Sequence, residues 1–184
     1  LGFLKISPIF TKTYGMNTQK DTSRKDVFAS VSAFLKEQNF TVATTDQSRP
    51  WGGFFVLDES QSDQFINKFF SEYSVEDFAG FGKLSPKILV VAPEQRLSWQ
   101  YHHRRSEIWK LIGGVAGVVK SDTDEQADLQ HLEVGDVVKL KCGERHRLVG
   151  TDGFGIVAEI WQHEDAENPS DEDDIVRVQD DFGR

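Results

Sequence analysis

Apolar residues recur at helical spacing in two stretches of the first half of the chain and at strand spacing through most of the second. Ser23 followed by Asp26 marks a helix start of the capping-box kind, and Val27, Phe28, Val31, Phe34 and Leu35 then share one face. This spacing predicts an amphipathic helix over 24–38. Phe65, Ile66, Phe69, Phe70 and Tyr73 form a second stripe behind Ser62 or Asp63, predicting a helix over 63–73. Both stripes read as packing faces. After Gly82 short runs rich in Val, Ile and Leu alternate with turn signals. The runs are KILVVA (87–92), LSWQYH (97–102), IWKLIGGVAGVV (108–119), DVVKL (136–140) and GIVAEIWQ (155–162). The turn signals are APEQ (92–95), SDTDEQ (121–126), KCGE (141–144) and GTDG (150–153). FTVATT and GGFFVLD add strands upstream. Strands so spaced predict an all-β antiparallel sandwich or barrel, with about two helices near the N-terminal half. No repeat or low-complexity linker divides the chain. It reads as an N-terminal tail (1–23) and one domain (24–184). Within the domain, helices and lead-in strands occupy 24–83, the barrel core 84–162, and a C-terminal segment 163–184.

The 184 residues suffice for one real core, and 14 Phe with 4 Trp suit a globular chain. No apolar run approaches the roughly 20 residues that span a bilayer. The opening LGFLKISPIF is apolar but lacks a basic flank and a cleavage site. Met16 is the one methionine, so either it is the natural start or the residues before it are a leftover of processing; residues 1–20 are expected to carry no chemistry. With one cysteine, Cys142, no intrachain disulfide can form, which fits a reducing, cytoplasmic setting. A net charge of −9 argues against nucleic acid and anionic membranes as partners. The acidic run HEDAENPSDEDD (163–174) reads as a solvated segment.

Gln100 and His102, two apart on a strand, point to one face. The basic stretch 103–106 reads as a turn that returns the chain with Glu107, Trp109 and Leu111 on the inner face. Further on, Gly135, Gly143 and the bends they permit lead to His146. One Gln, two His and one Glu suit a divalent metal: zinc first, with manganese, cobalt, iron or nickel as alternatives. Taken alone, the same residues also fit an ordinary structural set.

These two segments resemble the two cupin motifs. In the first, Gln100 replaces the leading His of H-x-H and Gly113 or Gly114 closes the motif. In the second, G-x5-P-x-G-x2-H, Gly135, Gly143 and His146 match and Lys141 stands for Pro. QYHHRRSEIW (100–109) resembles the type II phosphomannose isomerase signature Q-x-H-x-H-R-A-E-H-W. RPWG (49–52), HRL (146–148), AEIW (158–161) and EDDIVRVQDDFGR (172–184) resemble other segments of that domain. Arg104, Ser106, Ile108 and Phe182 depart from the pattern, but none removes an expected ligand. The resemblance implies a single cupin jelly-roll barrel with one metal on Gln100, His102, Glu107 and His146. It implies an aldose–ketose isomerase of a phosphorylated sugar, mannose 6-phosphate first, and a possible homodimer. Other sugars, or binding without catalysis, remain alternatives.

For proton transfer the candidates are Glu159 and His103. Arg105 resembles the motif arginine and could hold phosphate or a developing oxyanion. Arg49, Arg177, Arg184 and Lys110 are further substrate-side cations. Ile175 and Val178 are expected to pin the C-terminal segment across the barrel mouth and bring Arg177 to the substrate. On that reading, deleting 170–184 leaves metal binding nearly intact.

Overall fold

The computed structural model describes residues 14–184; the suggestions made above for residues 1–13 lie outside them. Helix α1 (Arg24–Glu37) starts where predicted, its Ser23 side chain accepting from the Asp26 amide. Helix α2 (Ser62–Phe69) stops four residues short of the predicted end. The apolar stripe continues past it because Phe70 is still buried and Tyr73 packs edge-on against Phe78. There the pattern reports burial rather than helix.

Among the described residues nine strands form, with α2 between the second and third: β1 (Val42–Arg49), β2 (Gly52–Leu57), β3 (Lys83–Val91), β4 (Trp99–His102), β5 (Arg105–Ser121), β6 (Gln130–Leu132), β7 (Val137–Leu140), β8 (Arg145–His163) and β9 (Ile175–Gln179). All named pairings are antiparallel, and β5 and β8 form the spine. The second half of β8 joins β3 on one side and the first half of β5 on the other. Its first half joins the second half of β5 and, through His146 opposite Gln100, β4. Both long strands thus pass from one sheet into the other, as in a jelly-roll.

The predicted turn at 150–153 does not form; β8 runs through it. Gly150 serves close approach instead, since a Cβ there would collide with the Ala92 carbonyl. At the β5 kink, Gly114 has φ +70°, and a Cβ would strike the Phe154 carbonyl. Register shifts at Leu111/Gly113 and Gly114/Ala116 mark the bend.

Two apolar layers result. Inside the barrel lie Leu89, Val91, Trp109, Leu111, Leu148 and Val157. On the outer face, α1 and α2 cover Ile88, Val90, Ile108, Ile156, Ala158 and Ile160 with a phenylalanine cluster. A sheet buried on both faces explains why KILVVA and GIVAEIWQ are continuous apolar runs rather than alternating ones. Residues 14–18, expected to be tail, pack on this outer layer. Tyr14 meets Phe34 at 5.1 Å between ring centroids, and the Phe154 amide donates to the Thr18 carbonyl.

The acidic run closes over the barrel as a structured strap. Arg105 and His163 lie opposite each other across β5–β8, and the chain returns through a short turn at Glu172–Asp174 into β9, which pairs with β4. Ile175 turns towards the cavity, but Val178, expected to pin the strap, is exposed. The pin is Asp174. Its carboxylate accepts from the His103 and Arg104 amides at 3.1 and 3.0 Å and from Ser170 Oγ at 2.6 Å.

His163, buried under the strap, fixes the other end. Its Nδ1 accepts from the Ser170 amide at 2.9 Å, so Nε2 carries the proton and donates to Ser85 Oγ at 2.9 Å. Burial first, then Lys83 and Arg105 nearby, push its pKa down to about 4. A histidine with a lower pKa folded than unfolded withholds a proton the unfolded chain takes up below about 6.5. Its contribution is therefore intact above that pH and is lost as pH falls towards 4. We expect roughly 1–3 kcal/mol of stability to disappear across this window on that account. His163→Gln should flatten the slope of unfolding free energy against pH there, as read by urea melts. Identical slopes in parent and variant would show that His163 does not set this dependence.

Candidate metal centre and its cavity

Three of the four expected ligands converge. Donor atoms of His102, Glu107 and His146 all lie within 4.8 Å of one another, and all three residues are buried. Antiparallel pairing places them: β4 supplies His102, the β4–β5 hairpin returns Glu107, and β8 sets His146 opposite Gln100. His102 Nε2 lies 3.2 Å and His146 Nε2 3.4 Å from the two Glu107 oxygens.

The ring orientations suit a cation. His102 Nδ1 donates to the Asp174 carbonyl at 3.2 Å and His146 Nδ1 to the Glu144 carbonyl at 2.8 Å. Both Nε2 lone pairs are thereby turned into the site beside Glu107, where that of His102 accepts from the Arg105 guanidinium at 3.1 Å. Burial lowers the His102 pKa and favours its neutral form, although Glu107 opposes this. Burial would raise the Glu107 carboxyl; the positive charge of His102 and the hydrogen bonds from His102 and His146 in their protonated forms, with the Arg105 guanidinium, outweigh it and hold it well below the usual range, a role a bound cation would take over from the neutral rings. His146 Nε2 is buried with no hydrogen-bond partner among the described residues. A lone pair facing a carboxylate in a dry interior is unfavourable unless a cation lies between them, so the residues fit a divalent metal. Gln100, on the same cavity wall, has Oε1 accepting from Ser98 Oγ at 2.6 Å, which leaves one lone pair for a fourth bond.

In front of the triad opens a cavity of about 340 Å³, at the small end for ligand pockets. Glu107, Trp109 and Glu159 line it, and Trp109 Nε1 lies 3.1 Å from Glu107 Oε2 and 2.9 Å from Glu159 Oε1. Burial first, then the charge of Glu107, push the Glu159 carboxyl up to about 8. This carboxyl therefore stays largely protonated at neutral pH unless a cation offsets Glu107.

Other candidates sort by face. Arg49, Arg177 and Arg184 line the cavity. Arg49 pairs with Asp46 at 2.8 Å and Arg184 with Asp180 at 2.9 Å; Arg177 has no ion pair among the described residues. Arg105 lines it too, stacked on Trp161, with Nε on Glu107 at 2.8 Å and further bonds to His102 Nε2, Ser170 Oγ and the Asp171 carbonyl. Four bonds leave it little capacity for phosphate, so it acts on the site by holding Glu107 and the strap. Lys110 is a correction: the strand period puts it on the opposite face from Glu107 and Trp109, and it bonds Glu72 at 2.8 Å outside the cavity. His103 is another: it sits exposed on the turn with its ring edge-on to Tyr101 and does not line the cavity.

Sequence reasoning missed Lys87 and the indole of Trp109. Lys87 had a signal, as the one charge in the otherwise apolar run KILVVA. A lysine two residues from Leu89 and four from Val91 shares their inward face, and inside a barrel that is unusual.

Comparison with known proteins agrees with this architecture. The family described as Mannose-6-phosphate isomerase C-terminal matches residues 36–180. The xanthan biosynthesis protein XanB of Xanthomonas campestris pv. campestris (strain B100) is 27% identical over 136 residues. That match takes in 74% of this chain but 23% of XanB, so the chain spans about a quarter of that relative. Among solved structures, the R92A mutant of Bacillus subtilis oxalate decarboxylase OxdC shares the fold at TM-score 0.52 and 11% identity, over 75% of this chain and 32% of that one. A cupin 2 conserved barrel domain protein from Salinispora arenicola CNS-205 is 29% identical over 46% of this chain and 65% of its own, with a TM-score of 0.38. With the family matching most of its length and a jelly-roll barrel beneath, this chain is a cupin and belongs to the mannose-6-phosphate isomerase C-terminal family.

Proposed function

We propose that the protein is a metal-dependent aldose–ketose isomerase of a phosphorylated sugar, mannose 6-phosphate and fructose 6-phosphate first. The observation that carries this reading is Trp109, whose indole N–H lies between a carboxylate of the triad and a second, cavity-facing carboxyl. Moving a proton between neighbouring carbons needs a group that takes it and returns it beside a group that stabilises charge on the oxygens. Glu159 is the first. His102, Glu107 and His146, with Gln100 as the fourth donor, would hold a divalent metal, zinc by preference, which supplies the polarisation of the sugar oxygens.

In this arrangement Glu159 accepts the carbon-bound proton at Oε and delivers it to the adjacent carbon. Trp109 fixes the carboxyl's orientation, and Leu89, Leu97 and Trp51 along the wall keep water out. Arg177 at the mouth, where β9 places it opposite Gln100, meets the phosphate. Phosphorylated and free aldoses should be assayed with metal added and removed. Interconversion of a phosphosugar that vanishes with chelator and returns with zinc, cobalt or manganese is expected. Metal-loaded protein that binds sugars but turns none over would favour a binding cupin.

A further inference from the structure

We propose that Lys87 is the inner anchor for the substrate's phosphate, and that Glu172 of the C-terminal strap is a placeholder the phosphate displaces. The proposal rests on the phosphorylated substrate argued above and adds a residue and a competing contact to it.

Lys87 projects from β3 into the cavity with its side chain 7% exposed. Its ammonium lies 3.1 Å from the Trp161 ring centroid, and the Arg105 guanidinium lies 3.5 Å from the same centroid. Two cations share one aromatic ring inside a barrel. Arg105 is committed to Glu107, His102, Ser170 and Asp171, whereas Lys87 is not. An ammonium has three N–H donors. Among the described residues Lys87 uses one, a 3.3 Å contact to Glu172 Oε1. Burying a cation so sparsely bonded is costly unless an anion joins it. Glu159, opposite it across β3–β8, makes no ion pair with it among the described residues.

Glu172 is a poor permanent partner. Its side chain is 72% exposed and its bond is long. It sits at the mouth, in the short turn before β9, so it approaches Lys87 from the side by which a ligand enters. A phosphate arriving there carries more charge than a carboxylate and offers three oxygens to the unused donors. Glu172 can swing into solvent at little cost to itself, because its side chain is already 72% exposed and the arriving phosphate takes over its contact to Lys87.

The test is calorimetric titration of inorganic phosphate into the full chain, metal-loaded and as His146→Ala, so that phosphate bound to metal is told apart. We expect binding that survives His146→Ala and weakens at least tenfold in Lys87→Met. Lys87→Arg should recover part of it. Glu172→Gln should tighten phosphate several-fold and lower KM for the phosphosugar, because a competitor is gone. Lys87→Met with the parent's phosphate affinity and melting temperature would overturn the proposal. So would Glu172→Gln binding phosphate no more tightly than the parent, a result that stands even if Lys87→Met fails to fold. Absence of turnover with every sugar would overturn the isomerase reading, while the phosphate series still decides on Lys87.

Discussion

Glu159→Gln is expected to lower kcat by about 10²–10⁴-fold while one metal per chain still binds. The carboxamide keeps the shape of the carboxyl and can still accept from Trp109 Nε1, so cavity and triad should stand. What it cannot do is gain or lose a proton at working pH. A positional role alone would raise KM and leave kcat, so the split between them separates the two. The pH profile adds a signed check. Without metal, burial and the charge of Glu107 hold Glu159 near 8. A divalent cation on the triad offsets that charge and so lowers the value. The basic group seen in kcat against pH should therefore fall below 8 in the loaded enzyme and vanish in the variant. Wild-type kcat in Glu159→Gln would remove this residue from proton transfer and reopen the search among cavity groups.

Much of the barrel was legible because a sheet buried on both faces writes unmistakable apolar runs, and the strand period put Gln100, His102, Glu107 and Trp109 on one wall. His146 was legible through the glycines around it. Other parts were hidden for identifiable reasons. β6 is three residues long with its first two exposed, so it carries no pattern. β9 reads as an acidic tail because its order comes from β4 and from Asp174, a carboxylate buried by two backbone amides and Ser170 Oγ rather than by apolar neighbours. Gly150 resembles a turn residue, although close packing requires it. Lys110 and Lys87 look alike as single letters, and only the register tells the outward one from the inward one. Which cations already have partners is a property of the fold, and it changes the roles given to Arg105 and Lys87.

Deletion of residues 170–184 is expected to abolish metal binding, not only substrate binding. Read as sequence, the segment is a lid whose loss spares the metal. The structure argues for the opposite outcome, because the segment holds in place the residues proposed as ligands. β9 pairs along β4, with Arg177 opposite Gln100 and Ile175 opposite His102. The Asp174 carbonyl accepts from His102 Nδ1, which directs Nε2 at the triad, and the Asp174 carboxylate fixes the turn that returns the chain to Glu107. Ser170 Oγ and the Asp171 carbonyl hold Arg105, which in turn holds Glu107. Without the segment His102 loses its orienting bond, β4 becomes a bare edge, and the buried Arg105 loses two acceptors. Loss of one such outer partner typically weakens metal binding 10–100-fold, and here several go together. The single variant Asp174→Ala isolates the pin: it strands two amide donors and should cost roughly 2–4 kcal/mol by urea unfolding. Burial opposes the charged form of Asp174, but its donors from Ser170, His103 and Arg104 hold the pKa below the ordinary value. Its contribution is therefore present at neutral pH and lost as pH falls through that lowered pKa, which places the effect in the acid range. Zinc content measured on the truncated protein decides the matter, since one tightly bound ion per chain would mean that the triad is held by the barrel alone.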